Sequence, residues 1–165
     1  MLKPILAGLV AALLVGGSAS MLKGHEYPEA RSYEVSEDAS ADVEAALTRA
    51  AENNKRVLLV MGANWCHDSR ALAGWLATER FETLIEERYE LVFVNIGYPQ
   101  TGDGHNLEIA QRFGLDDLPG TPNLLVLTAD GELLNADTAT TWRNAAAREE
   151  DAIFVELKAL SEPTA

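Results

Sequence analysis

Apolar and polar positions follow two rhythms along this chain. Between Asp38 and Asn54, Val43, Ala46, Leu47 and Ala50 recur at helical spacing and form one apolar face. Asp38 and Ser40 are candidate N-caps, and Asn53-Asn54-Lys55 ends the helix. Arg56 to Met61 is a continuous apolar run, the pattern of a strand covered on both faces. Gly62-Ala63-Asn64 reads as a turn. A helix is expected from Cys66 to about Thr78, with Leu72, Trp75 and Leu76 inward. It continues from Phe81 to Arg88 on a face of Phe81, Leu84 and Ile85. Tyr89 to Ile96 alternates and then runs apolar, as a second central strand does.

Gly97 to Gly104 has loop composition. Asn106 to Phe113 reads as a short helix closed by Gly114. An irregular stretch from Leu115 ends in Gly120-Thr121-Pro122. Leu124 to Thr128 is a strand, Asp130-Gly131 is a hairpin turn signal, and Glu132 to Asn135 is the expected partner strand. Trp142 to Ala147 has no clear periodicity. Glu149 to Leu160 is an amphipathic helix on Ile153, Phe154, Leu157 and Leu160. Upstream, His25 to Ser36 is a polar loop with Tyr27, Tyr33 and Val35 scattered in it, and a short edge strand around Arg31–Val35. The alternation of helices and strands argues for an α/β layer structure.

The first residues change the organisation. Met1 to Ser20 places Lys3 before an apolar run, Ile5–Val15, and then Gly16, Gly17, Ser18, Ala19 and Ser20. That is the layout of a signal peptide cleaved after Ala19 or Ser20. The alternative is an uncleaved anchor, since no charge falls between Pro4 and Leu22 and a span needs roughly 18–20 residues. Three parts follow: residues 1–20 as the signal peptide or anchor, 21–36 as an extended N-terminal segment, and 37–165 as one globular domain. Both readings put the domain outside the cytoplasm, periplasmic or secreted in a bacterium, or membrane-anchored facing the periplasm. A membrane is a partner only if the segment stays uncleaved.

Charge and cysteine content narrow the chemistry. The formal charge is −13, which argues against nucleic acid and anionic membrane surfaces as partners. The chain holds one cysteine, Cys66, so it has no intrachain disulfide and no zinc site built on two thiolates. His25, His67, His105 and Cys66 share no metal-ligand spacing, and Gly97–Gly104 lacks the Lys-Ser/Thr of a phosphate loop, so neither a metal nor a cofactor is expected. Cys66 stands where a buried strand turns into a helix, in Asn64-Trp65-Cys66-His67-Asp68-Ser69. A helix start offers unpaired N–H groups and partial positive charge, which suit a thiolate, the reactive form. Ser69 lies one turn on and can donate a hydrogen bond to that thiolate. An imidazolium on His67 favours the thiolate too, while Asp68 opposes it.

In this order, the elements resemble the thioredoxin superfamily. A buried strand runs into Trp65-Cys66-His67-Asp68-Ser69, a second strand follows the helix, and Gly120-Thr121-Pro122 precedes a strand, a turn and a C-terminal helix. The resemblance covers roughly Ala41 to Leu160. It implies a central mixed β-sheet flanked by helices. It also implies a cis Pro122 against the active cysteine, a Thr121 backbone open to an extended substrate, and a Trp65 covering one side of the thiol. The expected site is therefore Cys66, Ser69 and His67 for the chemistry, with Trp65, Asp68, Thr121 and Pro122 for the substrate. Two positions depart from the family pattern. Ser69 replaces the second cysteine, and Val60 stands where dithiol thioredoxins bury an acid.

A Cys-x-x-Ser site cannot resolve a mixed disulfide internally. What is left is monothiol exchange with protein thiols and disulfides, of isomerase or deglutathionylation type, with release by another thiol such as a glutathione-type small thiol. The alternative is a redox-inactive thioredoxin-fold binding or chaperone-like module. An odd cysteine can also pair between chains, so the oligomeric state stays open.

Overall fold

A computed structural model describes residues 26–162; the signal or anchor reading of residues 1–20 and the position of His25 lie outside them. Helix α1, Ala39–Asn53, starts at Asp38, whose carboxylate accepts from the Ala41 N–H at 2.9 Å. Asn54 ends it in the left-handed region, at φ 53°. Strand β1, Arg56–Gly62, is followed by helices α2, His67–Leu76, and α3, Glu79–Arg88. The expected continuous helix breaks at Thr78, whose extended backbone (ψ 150°) restarts the chain as α3. Strand β2, Tyr89–Asn95, runs parallel to β1, with Leu59 opposite Val92. Strand β5, Asn123–Leu127, runs antiparallel on the other side, with Leu59 opposite Leu125. The sheet is thus mixed, in the order β2-β1-β5.

The central strand shows why the apolar run carries no alternation. Val57, Leu59 and Met61 face α1, Ala39–Asn53, and α4, Leu107–Arg112. Leu58 and Val60 face α2, α3 and α5, Glu150–Ser161. All five are fully buried, so both faces of β1 are core. Each such side chain contributes about 1.5–3 kcal/mol of transfer free energy.

Three expectations are corrected. Glu132–Asn135 forms no strand; only Leu127 and Leu133 make a bridge. Asn135 takes over the pairing with its carboxamide. It accepts from the Val126 N–H at 2.8 Å and donates to the Leu124 carbonyl at 2.9 Å. Leu134 N–H donates to Val126, and Leu124 N–H donates to Ala139, so the outer edge of β5 is engaged by an irregular segment. Arg31–Val35 likewise forms no strand. The Asn64 carboxamide bonds both the N–H and the carbonyl of Tyr33, at 3.2 and 3.1 Å, in place of a neighbouring strand. Gly97–Gly104 is more ordered than a loop. Strands β3, Gly97–Tyr98, and β4, Asp103–Gly104, pair antiparallel around a 3₁₀ turn at Pro99–Thr101. The unassigned stretch near Trp142 is a 3₁₀ segment, Thr141–Ala147, against α2.

The segment 26–36 belongs to the packing of the domain. Tyr33 is 1% exposed and meets Phe93 edge to face at 5.2 Å. Pro28 crosses α2 so closely that a Cβ on Gly74 would stand 2.3 Å from the Pro28 carbonyl oxygen. No helix among the described residues is long and apolar enough to cross a membrane.

Candidate functional site

Cys66 is the N-cap of α2, in extended conformation at φ −82° and ψ 124°. The turn before it is closed by the Cys66 N–H on the Ala63 carbonyl at 3.1 Å, and the helix after it by the Arg70 N–H on the Cys66 carbonyl at 3.0 Å. Arg70 reaches back over the turn. Its guanidinium donates to the carbonyls of Asn64 and Trp65, at 3.2 and 3.1 Å, and pairs with Glu29. Cys66 itself is 8% exposed. Its sulfur donates to the Thr121 carbonyl at 3.5 Å. The Thr121–Pro122 peptide bond is cis, and both residues are buried. The structure therefore brings Cys66 and Thr121-Pro122 together from positions 55 residues apart.

The neighbours of Cys66 divide by direction. Ser69 is fully buried, and its hydroxyl accepts from the Ala63 N–H at 3.3 Å. This bond ties the strand-to-helix turn together, with the Ser69 oxygen as acceptor. Asp68 also turns inward, at 8% exposed, and accepts from the Ala146 N–H at 2.9 Å. That bond docks the 3₁₀ segment on the first turn of α2. His67 points out, with a side chain 64% exposed and its Nε2 3.2 Å from Asp68. Trp65 is 40% exposed. Its indole N–H donates to the Gly97 carbonyl at 2.9 Å, and its ring stacks on Tyr98 at 4.8 Å and 7°. The short hairpin β3/β4 thus holds the indole beside the cleft. A cavity of about 310 Å³, lined by Ala73, Leu76, Ile85, Leu91 and Phe93 among others, includes none of these site residues.

Tyr33 is the participant that sequence reasoning missed. Its hydroxyl donates to the Ser69 carbonyl at 3.2 Å. Burial pushes the phenol far above its usual range; the Ser69 side chain works against this, and Cys66 adds to it. The hydroxyl therefore stays neutral and remains a donor. Nothing local in Arg31-Ser32-Tyr33-Glu34 marks this role, because its partners lie more than thirty residues away. Tyr98 was equally hidden, in a stretch whose Gly and Pro content reads as loop. Among the described residues no group of three or more His, Cys, Asp and Glu side chains converges as a metal site. The Thr121 hydroxyl and the Asn123 carboxamide oxygen are buried without a hydrogen-bond partner, beside the same cis bond.

A thioredoxin-like family profile matches residues 38–129, more than half of the chain. This protein belongs to the thioredoxin-like family. Its fold agrees: a solved disulphide isomerase from Xylella fastidiosa Temecula1 superposes with a TM-score of 0.71 at 30% sequence identity, over 81% of this chain and 98% of that one. Among curated proteins none matches the chain. Within this thioredoxin-like protein the family match ends two residues beyond β5, so the 3₁₀ segment Thr141–Ala147 and α5 lie past it.

Proposed function

We propose that this protein is an extracytoplasmic thiol-disulfide exchange protein that works as a monothiol through Cys66. The observation that carries the reading is the single sulfur at the N-cap of α2, within hydrogen-bond reach of the Thr121 carbonyl before Pro122. The likeness to a protein described as a disulphide isomerase supports the same class of chemistry. In the reaction, the Cys66 thiolate attacks one sulfur of a client disulfide. A bond forms between Cys66 and that sulfur, the client S–S bond breaks, and the second client sulfur leaves as a thiolate. A thiol, either on the client or on a small molecule of glutathione type, then attacks the mixed disulfide and expels Cys66 as thiolate. The first route isomerises the client and the second removes or adds a small thiol. Neither changes the total number of disulfides.

In this scheme the client lies along the cleft between Trp65, Thr121 and Pro122, with His67 at its open side. Asp68 and Ser69 hold the turn that carries the sulfur. Residues 1–20 supply the export signal that puts the domain among disulfide-bearing clients.

The test is mass spectrometry of the intact chain after exposure to a peptide disulfide. The wild type gains one half of the peptide as an adduct that a small thiol removes, and Cys66→Ser gains nothing. Ser69→Cys acquires dithiol reductase activity. A wild type that forms no adduct, with a Cys66→Ser variant that still supports the biological phenotype, would instead identify a redox-inactive binding module of the same fold.

A further inference from the structure

The chain as a whole is at −13, yet one arginine, Arg143, stands beside the loop that faces Cys66. It sits on the 3₁₀ segment Thr141–Ala147, which the Asp68–Ala146 bond docks on the start of α2. Its stem lies over Gly120. A Cβ on that glycine would stand 2.8 Å from Arg143 Cδ and 3.8 Å from its Nη1. The absence of a side chain at position 120 leaves room for this close approach. The next residue is Thr121, whose carbonyl accepts from the Cys66 sulfur. The guanidinium is thus anchored beside the loop that faces the thiol.

Arg49, Arg70, Arg80, Arg112 and Arg148 each pair with a carboxylate. Arg143 is exposed and takes part in no ion pair among the described residues. His67 is exposed at the helix start, next to the Asp68 that holds the 3₁₀ segment. Working against Arg143, the exposed Asp116 and Asp117 stand four and three residues before Gly120. The sign of the charge preference at Cys66 therefore tests which group governs the cleft.

We propose that Arg143 is a specificity-determining residue that favours anionic partners at Cys66: disulfides with a carboxylate close to the reacting sulfur. The proposal rests on the exchange reading of Cys66. The guanidinium attracts the carboxylate as the disulfide approaches and holds it beside Gly120 while the sulfurs align. A field of this kind raises encounter rates and weakens with salt.

The experiment measures the rate of Cys66 modification by three small disulfides. They are the anionic dithiobis(nitrobenzoate), the neutral hydroxyethyl disulfide and the cationic cystamine. Wild type, Arg143→Gln and Arg143→Lys are compared at low and high salt. Arg143→Gln is expected to slow the anionic probe roughly three- to tenfold, leave the neutral probe within about twofold, and speed the cationic one. Arg143→Lys restores the preference, and high salt erases the difference between wild type and Arg143→Gln. A peptide disulfide with glutamates beside the cysteine, against the same peptide with glutamines, separates the sources. Slowing of the peptide points to acidic segments of protein clients; slowing of the small probe alone points to a carboxylate-bearing small thiol. An equal effect of Arg143→Gln on all probes, or none on any, overturns the proposal and leaves exchange at Cys66 intact. Failure of the wild type to react with every probe overturns both.

Discussion

The two sides of the Cys66 cleft are built differently. On the α2 side four side-chain bonds, two of them to partners more than thirty residues away in buried positions, tie the turn to the domain. Tyr33 bonds the Ser69 carbonyl, Asn64 bonds the Tyr33 backbone, Asp68 bonds Ala146, and Ser69 bonds Ala63. On the other side stands the hairpin of β3 and β4, two residues per strand, with Tyr98 48% exposed. It reaches the site through one hydrogen bond and one ring stack, both on Trp65. The buried side fixes where the sulfur is. The hairpin side presents an aromatic surface that is only lightly held. For the proposed exchange with peptide disulfides, the two sides would divide the work: one positions the sulfur and the other offers an aromatic surface.

The contrast can be broken from its strong side first. Tyr33→Ala removes a fully buried ring and its hydroxyl together, and is expected to cost about 3–5 kcal/mol, the range for truncating a core aromatic. Urea unfolding measures it, and a loss below about 1 kcal/mol would show that the segment 26–36 adds little to the domain. Asp68→Ala comes next. It leaves the Ala146 N–H buried without its charged acceptor, at about 1.5–3 kcal/mol, and Asp68→Asn should recover most of this through its remaining oxygen. The smallest effect is expected on the hairpin. Tyr98→Ala removes a half-exposed stack, at about 0.5–1 kcal/mol of stability, yet should change Cys66 exchange rates with peptide disulfides more than those with hydroxyethyl disulfide. Equal stability losses at Tyr33 and Tyr98 would abolish the distinction between the two sides.

Much of the frame was legible in the sequence because it rests on local rules. The spacing of Val43, Ala46, Leu47 and Ala50 and the unbroken run at Val57–Met61 follow from how helices and two-faced strands bury side chains. The Asp38 cap and the Trp-Cys turn also have local signatures. Long-range side-chain-to-backbone bonds have none. Asn64 pairs with Tyr33, and Asn135 pairs with Leu124 and Val126, as a strand would, but an asparagine reads as a loop residue in both places. Asp68 read as a substrate-side acid at the helix start, and its bond to Ala146 had no local sign because that partner lies 78 residues further on. Ser69 read as a partner for the sulfur, and its additional tie to the Ala63 N–H has no local signature. Arg143 became visible only through the glycine beneath it.

The Asn135 carboxamide has a consequence for the protein's behaviour in a crowd. A strand edge with free N–H and carbonyl groups is a template on which another chain can add, and such addition seeds aggregates. On β5 those groups are engaged by Asn135, Leu134 and Ala139, while Glu132 accepts from Thr128 just beyond the strand. A partly unfolded client held near the cleft therefore finds that border of the sheet occupied. If the proposed exchange role holds, the β5 edge is closed to strand addition by the very clients the protein would meet.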